Sequence, residues 1–429
     1  DMYRTAHTWT NTVTIEKRTD MAGVRLSYTN MTTNDILEGL NDIGRNQINM
    51  HADFKPVKFL NVDVNANYQH ERANNRSYRN GSDMNPIYLV AWMPRDVSMS
   101  ELTPWKQSDG RATSFNGFRN PMWMLNELSN QDKKHAFRGD VALNFQLRKD
   151  LKLRLKAAID YNAKQGWEFR NLYTPGDWDG LFKEFSETAR NYTFEAMLNY
   201  NKRWKDFNLV ASLGTMAQNN QFKKQNSEVA TLLYPDIISL GNNGANVKSW
   251  EDYNAKKKQA IFGTGSLGYK DFIYLDLTGR NDWSSSLPAS NRSYFYYSVG
   301  ASFVLTEVYK KIPKKILSYA KLRASYASVG NDAGFDQLLD GLKYGNTYLG
   351  NMSYFESDNR KRNARLKPET TTSWEFGADL RFWDNRATID FTYYDKTTRD
   401  QIVNAEIDGI SGYSNAVMNA GKVRNWGTE

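Results

Sequence analysis

The chain has 429 residues, 40% hydrophobic and 14% aromatic, with a mean hydropathy of −0.71 and a net charge of +8 from 56 basic and 48 acidic side chains. Cysteine is absent, which excludes disulfide staples and thiol chemistry, and the mild, dispersed basic excess is not the stripe of a nucleic-acid binder. No run approaches the roughly 20 apolar residues of a membrane helix, but strands that cross lipid on one face only would escape that test.

Alternation of apolar and polar residues predicts paired strands along the chain. In order they are residues 7–18 with 22–29, 47–54 with 58–71, 141–147 with 151–161, 190–204 with 207–217, 256–269 with 272–280, 294–307 with 320–329, and 371–382 with 387–396. A further strand is expected to begin near Met418. Turns of two to four residues join most partners, as at Lys205-Asp206 and Lys270-Asp271; a longer basic connection joins the sixth pair. The segments between pairs (72–131, 166–189, 218–255, 281–293 and 330–367) are longer and rich in Asn, Gly, Ser and aromatic residues, and are read as loops.

The third pair shows the pattern most plainly. Val141, Leu143, Phe145 and Leu147 share one face, and Leu151, Leu153, Leu155, Ala157, Ile159 and Tyr161 continue it on the next strand. Lys152, Arg154, Lys156 and Asp160 share the other face, because successive side chains alternate across a strand. Oily on one side, fully charged on the other, with short turns at one end and long loops at the other, such strands suit a barrel standing in lipid around a wet lumen. The expected fold is therefore all-β: a large antiparallel up-and-down transmembrane β-barrel, with residues 1–429 as part of one barrel domain. Aromatic girdles and loop rings would account for the aromatic content.

On this reading Lys152, Arg154, Lys156, Asp160, Glu195, Asn199, Glu375, Asp379 and Arg381 line the lumen or grip whatever fills it. Trp92, Trp105, Trp123, Trp178, Trp250 and Trp283 fall in the long loops and are expected to meet substrate or a covering lid, since an indole can stack on a sugar face, or else to anchor packing. Gly263, Gly265 and Gly268 satisfy G-x-G-x-x-G, but they sit inside a strand rather than between a strand and a helix, so a dinucleotide site is not read; small residues there would clear room for a lumen occupant or a bend. The four histidines have no metal-ligand spacing, and Gly176-Asp177-Trp178-Asp179-Gly180 lacks the further oxygens of a calcium loop. No nucleophile elbow, phosphate loop or HExxH helix is present. No catalytic, cofactor or metal residue is assigned, and an enzyme is not expected.

Three ordered blocks carry a family resemblance. The first is Leu277-Thr278-Gly279-Arg280-Asn281-Asp282-Trp283-Ser284-Ser285, running on through Leu287-Pro288 to Tyr294-Phe295. The second is Lys321-Leu322-Arg323-Ala324-Ser325-Tyr326, ending at Gly330-Asn331-Asp332. The third is Leu366-Lys367-Pro368-Glu369, with Ser373-Trp374-Glu375-Phe376-Gly377 and Asp390-Phe391-Thr392-Tyr393-Tyr394-Asp395-Lys396 and, further on, Asn419-Ala420-Gly421. Together they resemble the SusC/RagA family of TonB-dependent outer-membrane transporters of Bacteroidetes. The resemblance implies a multi-pass outer-membrane barrel with an amino-terminal plug, a SusD-like surface lipoprotein as lid, energy delivered by the TonB complex, and oligosaccharides or peptides as cargo. Plug, TonB-contacting segment and terminal strands are not recognised in this stretch, so a piece of a longer protein is expected. In this family the Asn281-Asp282-Trp283 signature is expected to hold a loop rather than bind substrate. The rival readings are a TonB-dependent receptor for siderophore, haem or cobalamin, a passive porin or adhesin barrel, and an outer-membrane hydrolase.

Overall fold

The computed structural model describes residues 3–78, 81–98, 100–113, 119–309, 313, 315–348 and 352–429. Among them, fifteen strands hydrogen-bond side by side into one antiparallel sheet. In chain order these are β1 (His7–Arg18), β2 (Ala22–Asn34), β3 (Asp42–Val57), β4 (Leu60–Asn74), β5 (Leu128–Arg148), β6 (Leu151–Arg170), β7 (Leu181–Trp204), β8 (Phe207–Val229), β9 (Lys248–Tyr269), β10 (Ile273–Ser284), β11 (Ser293–Val304) and β12 (Leu317–Asn331). Three short strands follow in loops, β13 (Leu342–Tyr348), β14 (Met352–Ser357) and β15 (Arg360–Lys361). The wall resumes with β16 (Glu369–Phe382) and β17 (Ala387–Arg399); β18 (Ile402–Glu406) and β19 (Asn415–Asn419) belong to a small loop sheet with β15, and β20 (Lys422–Thr428) is the last wall strand. Strand order in the wall follows chain order, so the topology is up-and-down, and β1 and β20 are not paired with each other.

All fourteen expected strands are present, and the differences are informative. Residues 166–170, 181–189, 218–229 and 248–255, read as loop, are strand. The ladder continues there without an apolar face, so the hydrophobic period that marks a strand is lost while backbone pairing is not. The strand expected near Met418 is the short β19, and the wall strand starts at Lys422. Residues 305–307 leave β11 as the helical turn α3 (Leu305–Val308). Two further helices lie in the first long loop, α1 (Pro86–Trp92) and α2 (Pro121–Asn126). Each begins with an Asn whose side chain accepts an amide two residues on, followed by Pro at the first helical position.

Connections alternate as a barrel requires. One end carries 19–21, 58–59, 149–150, 205–206, 270–272, 305–316 and 383–386; the other carries 35–41, 75–127, 171–180, 230–247, 285–292, 332–368 and 400–421. Lys270 and Asp271 both take left-handed backbone at one short turn, with φ of 47° and 58°. The long-connection end is the extracellular side in barrels of this kind.

The register assigns every wall residue to one of two faces. Leu26 pairs with Met50, Met50 with Ala66, Val64 with Val141, Leu143 with Leu155, and Leu155 with Ala196. Further round, Leu267 pairs with Leu275, Leu277 with Val299, Ala324 with Phe376 and Ala378 with Phe391, so one apolar band runs across the sheet. It is not packed into a dry interior: Phe194 is 60% exposed, Leu213 61% and Phe295 64%. Aromatic rings border the band. Near the short turns Trp204, Phe207, Tyr269, Phe272 and Phe303 follow one another at centroid distances of 4.9 to 6.0 Å. Towards the long loops Phe295, Tyr297, Tyr326 and Trp374 do the same at 4.6 to 6.1 Å. From Phe295 to Phe303 is about 27 Å along the strand at ~3.4 Å per residue. At a tilt of about 40° that is roughly 20 Å of membrane, close to the apolar belt of outer-membrane barrels.

Buried side chains lie instead among the long loops. Met84, Ala112, Trp123, Met124 and Leu128 form one cluster, Leu287, Tyr294, Ala333, Leu366 and Val417 a second, and Phe169, Phe182, Val229 and Leu232 a third. The loops are therefore packed caps with small dry cores. Within 232–240, Leu232 is buried, while Leu233, Tyr234, Ile237 and Ile238 are exposed.

Candidate functional site

Opposite the apolar band lies a polar face, and all nine expected lumen residues fall on it. Lys152, Arg154, Lys156 and Asp160 share it on β6 and meet Asn199, Met197, Glu195 and Asn191 across β7. Glu375, Asp379 and Arg381 occupy the same face of β16, away from the first group. Two patches result. In the first, Arg138 binds Asp160 at 3.2 Å, Lys156 binds Asp140 at 3.7 Å, and His51, Asn65 and Asp140 are linked by hydrogen bonds of 2.8 and 3.2 Å. His51, Asn65, Arg138, Asp140 and Asp160, with Arg25 and Thr193, line a groove of about 570 Å³. In the second, Arg381 binds Asp379 at 3.1 Å and lies 4.8 Å over the Tyr319 ring, and Arg323 reaches Asp390 and Thr392, each at 2.6 Å. A surface that alternates cations, carboxylates and amides suits a wet channel or a polar filling. The glycine motif does not clear this face: Gly263 and Gly265 share the outer face with Leu267 and Leu275, and only Gly268 turns inward, against Tyr274.

At the extracellular end, side chains tie loops to the inner wall, and sequence reasoning missed these ties. Arg76, from the 75–127 loop, reaches down to Glu71 at 2.6 Å and Asp132 at 2.5 Å; Arg45 also holds Glu71, at 2.6 Å. Tyr78 donates to Glu168 at 2.9 Å. Burial, and next the Glu168 charge, push the Tyr78 phenol well above its ordinary value, so it stays a neutral donor. Arg76 and Asp132 lie 56 residues apart in sequence and Tyr78 and Glu168 90, where no spacing could reveal them. The family signature forms a second tie. Asp282 is fully buried and accepts from Arg280 at 2.7 Å, Lys258 at 2.9 Å and Tyr296 at 3.0 Å. Nearby, Lys256 binds Asp332 at 2.8 Å. In the Gly176 to Gly180 turn, Arg170 takes the Asp177 carboxylate at 2.8 Å.

The six tryptophans do not form one site. Trp92 at the end of α1 and Trp178 in the 171–180 turn are exposed. Trp105 is half-buried and donates to Glu127 at 2.9 Å; Trp123 is fully buried and donates to Thr174 at 3.1 Å. Trp250 stands between Lys183 and Lys248, 5.1 and 5.5 Å from its ring. Trp283 shares the outer face with Leu277, at the top of β10.

Residues 58–429 match the model of the TonB dependent receptor-like β-barrel family. The chain belongs to that family. Barrels of the TonB-dependent receptor family reside in the outer membrane and are receptors, not enzymes. Among curated relatives, TonB-dependent receptor P26 of Formosa agariphila is 25% identical over 298 residues, 63% of this chain and 30% of that protein. TonB-dependent receptor SusC of Bacteroides thetaiotaomicron is 22% identical over 77% of this chain and 34% of its own length. The chain thus spans about a third of the curated relatives it matches. Among solved structures, the RagAB peptide importer in its open-open state superposes with a TM-score of 0.82 at 18% identity, covering 99% of this chain and 47% of that one. The siderophore receptor PirA of Acinetobacter baumannii superposes at 0.59 and 15% identity, over 99% of this chain and 56% of that one.

Proposed function

We propose that this chain is part of the barrel wall of a TonB-dependent importer of oligosaccharides or peptides that works with a SusD-like surface lipoprotein. The observation carrying this reading is the contrast in superposition: 0.81 to 0.82 over nearly the whole chain with RagAB, against 0.53 to 0.59 with the siderophore receptors PirA, PiuA and Fiu and the ferripyoverdine receptor. SusC stands among the relatives as well. Residues 1–429 form part of one barrel domain, a reading supported by the fifteen-stranded sheet that runs through the described residues. The polar face then grips a plug, with Lys152, Arg154, Asp160 and Glu195 in one patch and Glu375, Asp379 and Arg381 in the other. A plug moved by TonB supplies the energy that a passive pore lacks.

Cargo or lid would meet the loop caps. Trp92 and Trp178 are free to stack on a sugar ring or a peptide side chain, and Trp250 is held upright by its two lysines. Isolation of the full-length protein from outer membranes tests the reading. A SusD-like partner and bound oligosaccharide or peptide are expected; a ferric chelate in place of both would establish the siderophore alternative.

A further inference from the structure

On β4 and β5 the outer face changes character with height. Val64 pairs with Val141, Tyr68 with Phe137, His70 with His135 and Arg72 with Lys133, so the rungs pass from aliphatic through aromatic and imidazole to cationic. The imidazoles lie 4.7 Å apart, and Tyr68 bonds His135 at 2.8 Å. Arg72 and Lys133 are both exposed and directly opposite, an arrangement that repels across a strand pair. Among the described residues neither has a carboxylate partner. One residue away, on the inner face of the same strands, Glu71 and Asp132 are each held by two cations. At this height of β4 and β5 the ion pairs lie on the inner face, and Arg72 and Lys133 take no part in them.

The height of the cations suggests where their counter-ion lies. Arg72 stands four residues above Tyr68, about 13 Å along the strand at ~3.3 Å per residue, or roughly 10 Å along the normal at a tilt near 40°. Tyr68 belongs to the aromatic border of the band, so Arg72 and Lys133 reach the polar headgroup layer, and long basic side chains bend towards it. Beside Lys133 the face carries Gln131, Gln165, Ser186, Gln225 and Ser227 around a shallow cleft that Glu184 also lines, with hydrogen-bonding groups suited to a headgroup's hydroxyls. We propose that Arg72 and Lys133, above His70 and His135, bind the phosphate of an outer-leaflet lipid headgroup. A planar guanidinium matches two phosphate oxygens, and an ammonium adds a point charge. The site rests on the barrel's seating in the outer membrane and is independent of what the barrel imports.

The test is lipid binding to the full-length receptor in detergent, followed by native mass spectrometry with phosphatidic acid as probe and phosphatidylcholine as comparison. Two cations near a membrane surface imply that R72Q/K133Q weakens phosphatidic acid binding about tenfold or more. Phosphatidylcholine, whose choline cation cancels its phosphate charge, should lose less than phosphatidic acid, and K133R should bind like the parent. Heat-modifiable migration on gels verifies that each variant is a folded barrel. Equal phosphatidic acid affinity in parent and R72Q/K133Q overturns the proposal. Displacement of the lipid by an equal concentration of inorganic phosphate overturns it too, since the site would then take a free anion.

Discussion

Lys258 on β9 and Asp282 on β10 meet at 2.9 Å within a fully enclosed carboxylate site that Arg280 and Tyr296 complete. This joins three neighbouring strands just below the cap that holds Leu287, Tyr294 and Leu366. Asp282→Asn removes the charge and leaves two cations facing a neutral amide. Breaking a buried pair in this way costs about 3 kcal/mol. Urea unfolding of the purified receptor in detergent should show the loss, and limited proteolysis should open 285–292 first. An unchanged midpoint would remove the latch from the account of the signature.

The neighbouring pair predicts a pH response. Burial alone would raise the Asp332 carboxyl, but the Lys256 ammonium at 2.8 Å, a hydrogen bond from Ser284 and the Lys258 charge together outweigh it and hold the group below its ordinary value. A depressed folded-state value means that the carboxylate stabilises the fold fully above about pH 4, the unfolded range, and that this stabilisation is lost as pH falls through the lower folded-state value. Protection against hydrogen exchange at 332–338, taken relative to the intrinsic rate at each pH, should therefore fall between pH 5 and pH 3 in the parent. In Asp332→Asn the protection should be low at both and show no such step.

How much was legible follows from where water lies. Leu143, Leu155 and Leu277 alternate with polar neighbours because lipid selects one face, so those strands could be read from period alone. Gln225 and Ser227 extend β8 where both faces are polar, and the sequence there looks like loop. The Asn-Pro starts of α1 and α2 were a readable helix signal hidden in a segment judged by composition. The polar-face positions of Arg154 and Asp379 followed from parity, which needs no partner knowledge. Arg76 with Asp132 did not, since 56 residues separate them and only the closed β4–β5 register brings them together.

Burial divides the tryptophans into two experimental classes. Trp123→Ala empties a fully buried site beside Met84 and Met124 and removes the bond to Thr174. Large aromatic-to-Ala changes in cores cost about 3–5 kcal/mol. Proteolysis within 84–128 should accelerate markedly. Trp178→Ala, on an exposed indole, should leave that rate unchanged while weakening cargo or lid binding, read by calorimetry with the co-purified ligand or lipoprotein. Loss of stability in Trp178→Ala equal to that in Trp123→Ala would place both indoles in packing.

Facing and depth can be tested by two adjacent residues on β6. Leu155 pairs with Leu143 and Ala196 on the outer face, about midway between Leu151 at the short-turn end and Tyr161 in the aromatic border. An arginine there points into acyl chains, where the cost is about 2–4 kcal/mol at the bilayer midplane and falls towards the interfaces. Arg154 lies on the opposite, polar face beside Asn144 and Met197, so Arg154→Leu changes no residue of the apolar band. Refolding yield into vesicles should drop sharply for Leu155→Arg, less for Leu151→Arg, and little for Arg154→Leu. That order depends on parity and height together: a reversed order for residues 154 and 155 would invert the two faces, and equal losses at 151 and 155 would move the band's centre.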